Sequence, residues 1–168
     1  LGDEPAVEGV ARRVDLPLAV AAAVGLGQHA PVGRGEAAVA EEAARLQKSG
    51  KGPIIIMGHS LGADAAIYMA EKMKTLGAPV ALVVTFGPTT NLVAPSNVHQ
   101  VINYYTGNTL VSKGPGFRGS ISNINLNSAP DINHMNIEKS NRLHASVISK
   151  IQAIAGRQRR ASPSAAVQ

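Results

Sequence analysis

The chain has 168 residues, 16% of them charged and 45% hydrophobic, which fits one globular domain and argues against a disordered polyelectrolyte. Its net charge of +5 suggests a nucleic-acid partner, but only 3% of the residues are aromatic, so base stacking has few platforms. We therefore expect no nucleic-acid partner and, since no long apolar run occurs, no stable membrane insertion. The absence of cysteine excludes disulfides, thiolate metal sites and a cysteine nucleophile.

The first third of the chain differs in composition from the rest. Residues 1–53 contain no isoleucine, asparagine, phenylalanine or tyrosine. We predict an Ala/Gly-rich lead-in over residues 1–35, with one short strand at 16–24. It is a helical lead-in, a processed leader, or sequence altered upstream of an intact module. The predicted location is cytoplasmic. Residues 12–30 loosely match a twin-arginine-like leader, and export is therefore the alternative.

Residues 36–155 show the patterns of an ordered domain. A helix is predicted over 35–50, where Val39, Ala43 and Leu46 share one stripe. Pro53 then opens the run IIIM, a strand buried on both faces, and a second helix follows Ser60 and ends at Gly77. The remaining elements are three strands and a last helix, over residues 79–86, 98–106, 121–126 and 137–155.

This order of helices and strands predicts an α/β fold, with a minimal, mostly parallel sheet of about four to five strands flanked by helices. The last helical pattern stops at Gly156. Residues 156–168 are therefore predicted to be a disordered basic tail.

The pentad Gly58-His59-Ser60-Leu61-Gly62 matches G-x-S-x-G. In this motif, a sharp strand-to-helix turn exposes a strained serine, and glycines on both sides relieve the crowding. Here the pentad follows a buried strand and opens a helix, as such an elbow requires. The alternative is a serine that only caps the helix.

A serine nucleophile needs a base, and three histidines follow Ser60. His99 opens a predicted strand, and His144 shares a helical face with apolar residues, so both are expected to be structural. His134 lies in a polar loop after the last strand, where catalytic side chains gather. It is the candidate base.

These residues resemble the α/β-hydrolase superfamily, specifically its small bacterial lipase-like or thioesterase-like members. The likeness covers residues 36–154 and is carried by PIIIMGHSLGADAA, VALVVTFGPT, APSNVHQVINYY and NHMNIEK. It implies that Ser60 is the nucleophile, His134 the base and the Leu61 N–H one oxyanion donor, with Gly58 and Gly62 shaping the elbow.

The chain departs from this family at the acid of the triad. The acid is expected after one of the two strands that follow the elbow strand, but those positions are Gly87 and Asn108. Asn108 could accept the imidazole N–H without carrying charge, and Asp131 lies three residues before His134. Both remain candidates, whereas Asp64 is expected to complement the dipole of its helix.

The second departure is upstream. Family members usually place several strands before the elbow, and a loop after one of them supplies the second oxyanion donor. Only 52 residues precede Pro53, so the sheet is minimal or the chain is truncated. The second donor cannot be named from the sequence.

The sequence thus predicts a serine hydrolase that cleaves a small-molecule ester or thioester through an acyl-enzyme on Ser60, without cofactor or metal. The alternatives are a non-catalytic binding protein on the same fold and an acyltransferase. Nothing in the sequence indicates an oligomeric state.

Overall fold

The computed structural model of the chain describes residues 19–23 and 35–161. The elements, in chain order, are β1 (Ala19–Ala23), α1 (Gly35–Lys48), β2 (Ile54–His59), α2 (Leu61–Thr75), β3 (Leu82–Phe86), β4 (Leu92–Ala94), β5 (Gln100–Tyr105), β6 (Val111–Lys113), β7 (Ser120–Asn125), a 3₁₀ turn (Ile137–Lys139) and α3 (Asn141–Ala161). Apart from β1, the lead-in predicted over residues 1–35 and the leader-like pattern at 12–30 lie outside the described residues.

Five strands form one sheet in the order β1-β2-β3-β5-β7, and every pairing within it is parallel. The predicted α/β fold is confirmed, as is the short strand expected within 16–24. Because parallel strands end at the same edge, the carboxyl ends of β2, β3, β5 and β7 lie side by side there. The elbow and the loop that carries His134 both emerge from this edge.

The sheet is covered on both faces. Alternate residues of β2 face opposite ways, so that Ile54 and Ile56 pack towards α1 and α2, whereas Ile55 packs towards α3. The helices α1 and α2 share one face, as expected when β1, β2 and β3 follow one another in one direction across a parallel sheet and their crossovers have the same hand. A strand buried on both faces needs an unbroken apolar run, and the segment 54–57 supplies it.

The strands β4 and β6 form a separate parallel pair that the sequence analysis did not predict. They lie in the connections from β3 to β5 and from β5 to β7. Each has only three residues, too few for a period-two pattern to stand out from the surrounding loop.

Helix α1 buries a stripe shifted from the predicted one, and Ala43 is common to both. Ala40, Ala43 and Ala44 are buried, whereas Val39 is exposed and Leu46 only half-buried. Small side chains let α1 approach α2 and the sheet closely, and the larger apolar residues Val39 and Leu46 lie at the border of this contact.

Helix α3 does not end at Gly156, as the sequence analysis expected. It begins at Asn141, after the separate 3₁₀ turn, and continues through Gly156 to Ala161. A glycine within a helix costs only about 1 kcal/mol relative to alanine, and the arginines that follow favour a helical C-terminus. The predicted disordered tail at 156–168 is therefore wrong up to Ala161, and residues 162–168 lie outside the described part. None of the helices within residues 35–161 combines the length and apolarity needed to cross a membrane.

Candidate functional site

Ser60 occupies a strained turn between the end of β2 and the start of α2. Its backbone angles are φ 56° and ψ −125°, and no other non-glycine residue in the described part of the chain has a positive φ. Such a conformation costs on the order of 1–3 kcal/mol and persists only when its surroundings enforce it. The Ser60 N–H donates a 3.0 Å hydrogen bond to the carbonyl of Phe86 at the end of β3, which holds the turn in place.

Only a glycine fits at position 58, for a steric reason. A Cβ atom there would lie 1.9 Å from the carbonyl oxygen of Gly62. The first turn of α2 therefore folds directly onto the last residues of β2, as the elbow interpretation requires.

His134 is the imidazole that the fold brings to Ser60. Its Nε2 lies 3.0 Å from Ser60 Oγ, although the two residues are 74 positions apart. Both side chains are half-buried. If the serine hydroxyl donates, Nε2 is the acceptor and the proton of the neutral ring lies on Nδ1.

The other two histidines lie elsewhere. His99 is exposed just before β5, at the amino edge of the sheet, opposite the elbow. His144 is exposed on α3, and its Nε2 contacts the carbonyl of Glu138. The expectation that His144 packs in the core is wrong, because Leu143 and Val147 provide the buried face of this helix and His144 does not share it.

The far nitrogen of His134 faces Gly87. A Cβ atom built on Gly87 would lie 2.9 Å from Nδ1, and the Gly87 backbone has φ 56°. Within the described residues, Nδ1 has no hydrogen-bond acceptor. The position from which a triad acid would reach the ring is thus a residue without a side chain.

Asn108 and Asp131 are both exposed, and neither forms a hydrogen bond to His134 in the described part of the chain. The carbonyl of Asp131 accepts a 3.0 Å bond from the side chain of Asn136, which closes the loop before the 3₁₀ turn. Asn108 lies in the turn after β5. The structure brings Gly87 to the imidazole rather than either of these candidates.

Asp64 is buried in the first turn of α2 and does more than complement a helix dipole. It accepts a 3.1 Å hydrogen bond from the Thr89 N–H, and its second oxygen contacts the Thr89 hydroxyl. Asp64 thereby ties the segment after Gly87 to the helix that starts at the elbow.

We expect Asp64→Ala to lower the free energy of unfolding by about 1.5–3 kcal/mol, because hydrogen bonds to a charged acceptor are lost in a partly buried place. Urea denaturation measures this change. Glu71→Ala on the exposed side of the same helix is the control, and an equal loss in both variants would contradict the anchoring role of Asp64.

Two neighbours of the dyad were missed in the sequence analysis. His59 Nε2 lies 2.7 Å from the carbonyl oxygen of His134 and 3.4 Å from Glu138 Oε2. The sequence carried a weak signal for each: His59 stands beside the nucleophile in a variable motif position, and Glu138 follows His134 by four residues.

The amino end of α2 is the candidate oxyanion site. The first N–H groups of a helix lack intrahelical acceptors and carry partial positive charge, and Leu61 is the first residue of α2. The strand β1 ends with Ala23 opposite Gly58, but residues 24–34 after it lie outside the described part. The Leu61 N–H therefore stays the candidate donor, and the segment expected to supply the second lies outside the described part.

No group of three or more metal-ligating side chains comes together within residues 19–23 and 35–161. Comparison of the chain with models of known protein families, with curated proteins and with solved structures found no match.

Proposed function

We propose that this protein is a serine hydrolase that cleaves a carboxylic ester or thioester, with Ser60 as nucleophile and His134 as general base. One observation carries the proposal: Ser60 Oγ lies 3.0 Å from His134 Nε2, on a strained strand-to-helix turn. A residue held in a costly backbone conformation beside a potential base is the arrangement that nucleophilic catalysis needs.

The reaction follows from these two groups. His134 Nε2 takes the Ser60 proton while Oγ attacks the substrate carbonyl, and the oxyanion forms near the Leu61 N–H. The intermediate collapses to an acyl-enzyme as His134 returns the proton to the leaving alcohol or thiol. Water, activated by the same imidazole, then releases the acid and regenerates Ser60.

The architecture supports the likeness to the α/β-hydrolase superfamily. The elbow follows a strand with neighbours on both sides in a parallel sheet, and the base lies in the loop after the last strand. This likeness extends to the order of the elements and to the motif, and a fold alone does not imply an activity.

The side chains beside the dyad favour an apolar substrate group. Leu61, next to the nucleophile, is 51% exposed, and Met135, next to the base, is 73% exposed. Exposed apolar side chains that flank reactive groups can bury part of an acyl chain, each fully buried CH₂ contributing about 0.8 kcal/mol.

A specific observation favours a second candidate, a non-catalytic binding protein on the same scaffold. Gly87 leaves His134 Nδ1 without a carboxylate partner. Without that charge, the imidazolium formed during attack is less stable.

Labelling with a fluorophosphonate probe distinguishes the two candidates. We expect covalent modification of the wild-type chain at neutral to mildly alkaline pH, located on Ser60 by mass spectrometry and absent from Ser60→Ala. If the folded wild-type chain shows no labelling over this range, the hydrolase proposal fails and the binding protein is favoured.

We expect His134→Ala to slow labelling by about 70-fold, rather than by the far larger factor seen in a complete triad. In a serine protease, losing the serine or the histidine lowers kcat by a factor of about 2 × 10⁶, and losing the acid alone lowers it by a factor of about 3 × 10⁴. In a dyad that already lacks the acid, the histidine therefore still contributes about the ratio of these two factors to the rate. The rate of probe attachment measures the loss. His99→Ala, which removes an exposed imidazole at the opposite edge, should label like the wild type, and an equal loss in both variants would contradict the choice of base.

A further inference from the structure

His59 connects the elbow to the segment that carries the base. Ile55 and Met57 pack on the α3 face of the sheet, and the alternation along β2 turns His59 to the same face. There its Nε2 lies 2.7 Å from the carbonyl oxygen of His134, 75 positions away. A carbonyl only accepts, so the His59 ring nitrogen donates. The residue next to the nucleophile thus holds the main chain of the base.

The carboxylate of Glu138 is the second group close to the same ring nitrogen. Its Oε2 lies 3.4 Å from His59 Nε2, is buried, and has no hydrogen-bond partner in the described part of the chain. A buried carboxylate oxygen without a donor is destabilising, so its retention calls for an explanation. Among the described residues, the charged and titratable groups that face His59 are this carboxylate and the His134 ring, whose centroid is 5.4 Å away. Lys139, 3.9 Å from the other oxygen of Glu138, is mostly exposed.

The bond to the carbonyl matters because no hydrogen bond from residues 19–23 or 35–161 orients the imidazole from its far side. In a complete triad, a carboxylate on Nδ1 fixes the direction of the ring. Here Nδ1 faces the bare Gly87, and within the described residues the one hydrogen bond of the ring is to Ser60. The ring can then be kept near Ser60 through its own main chain, and the hydrogen bond from His59 holds that main chain.

We propose that His59 and Glu138 form a positioning pair, in which the carboxylate orients the His59 ring and the His59 N–H holds the His134 backbone within reach of Ser60. This inference rests on the proposed function, because the role of the pair is expressed through the reactivity of Ser60. Neither residue touches the substrate carbonyl in this scheme.

The test compares His59→Ala, His59→Gln and Glu138→Gln by their rates of fluorophosphonate labelling. A displacement of about 1 Å can cost about 100-fold in rate, but loss of the base itself is expected to cost only about 70-fold here, so we expect His59→Ala to slow labelling by about 10- to 50-fold. The maximal rate of inactivation should fall, while the half-saturating probe concentration stays within about twofold, as expected when orientation rather than binding is lost.

The conservative variant separates positioning from a merely structural role. The side-chain amide of His59→Gln can donate to the same carbonyl, so its labelling rate should return to within about fivefold of the wild type. Glu138→Gln keeps the shape but removes the charge, and we expect a loss smaller than that of His59→Ala. His99→Ala is the matched control, with no change. If folded His59→Ala labels at the wild-type rate, or if His59→Gln is as slow as His59→Ala, the pair is overturned.

An NMR readout keeps this inference distinct from the proposed function. The ¹⁵N resonances of the His134 ring should shift in His59→Ala and recover in His59→Gln, whether or not the probe reacts. If the wild-type chain fails to label, but the resonances shift in His59→Ala and recover in His59→Gln, the hydrolase proposal is refuted and the positioning pair stands. Unchanged resonances in folded His59→Ala overturn the pair.

Discussion

Gly87→Asp is expected to raise the rate of Ser60 labelling by about 100- to 1,000-fold. The carboxylate would reach the open Nδ1 of His134, where it would orient the ring and stabilise the imidazolium formed during attack. Loss of the acid from a complete triad costs about 3 × 10⁴ in kcat, which sets the upper bound for the gain. We expect less, because the new Cβ would lie only 2.9 Å from Nδ1 and the ring has to shift to make room.

The substitution has a cost in stability that can be measured separately. Position 87 has φ 56°, and placing a side chain in this left-handed region costs about 1–2 kcal/mol. Aspartate tolerates the left-handed conformation better than most residues. Gly87→Asn has nearly the same shape without the charge, and Gly87→Ala carries the strain alone. The labelling rate should therefore be highest in Gly87→Asp, lower in Gly87→Asn and lowest in Gly87→Ala. If folded Gly87→Asp reacts no faster than Gly87→Asn, the reach of position 87 to the imidazole is contradicted.

The dyad could be predicted from the sequence because each partner has a local signature. Ser60 stands between two glycines after an apolar run, and His134 alone among the later histidines lies in a loop at the end of the strands. The resemblance pointed to Gly87 and Asn108 as the two positions that could face the far nitrogen of the base. The sequence could not choose between them, since the choice depends on how the loop that carries His134 packs over the ends of β3 and β5.

The roles of Asp64, His59 and Glu138 depend on contacts between distant segments. Asp64 has the same helical position as a residue that complements a dipole, and only the approach of Thr89 shows the difference. His59 and Glu138 meet because β2 directs one towards the 3₁₀ turn that carries the other. Periodicity predicts which face a residue takes, but not which loop packs over that face.

The helix boundaries show the same limit in a different way. Gly156 is a plausible stop by local preference, yet α3 continues past it, because buried Ile154 and Ala155 hold the helix on the sheet up to that point. Tertiary packing overrides a local cost of about 1 kcal/mol.

Gly58→Ala is expected to have the largest effect on folding. The added Cβ would lie 1.9 Å from the Gly62 oxygen, 2.3 Å from the Gly62 carbonyl carbon and 2.8 Å from the Ala63 nitrogen, all of them backbone atoms that no rotamer change can move. We expect a loss of about 4 kcal/mol or more in the free energy of unfolding, above the 1–3 kcal/mol typical of overpacking by side chains.

The matched control is Gly156→Ala, the same added methyl group in a helix where nothing lies within 4 Å. It should raise the free energy of unfolding by about 0.5–1 kcal/mol, because alanine loses less backbone entropy than glycine. Urea unfolding of both variants gives opposite signs if β2 and α2 meet as closely as described. Any fraction of Gly58→Ala that folds should also label slowly, because relieving the clash moves the turn that presents Ser60. A Gly58→Ala chain with the wild-type midpoint would mean that the strand and the helix are farther apart, and the strained elbow would lose its steric basis.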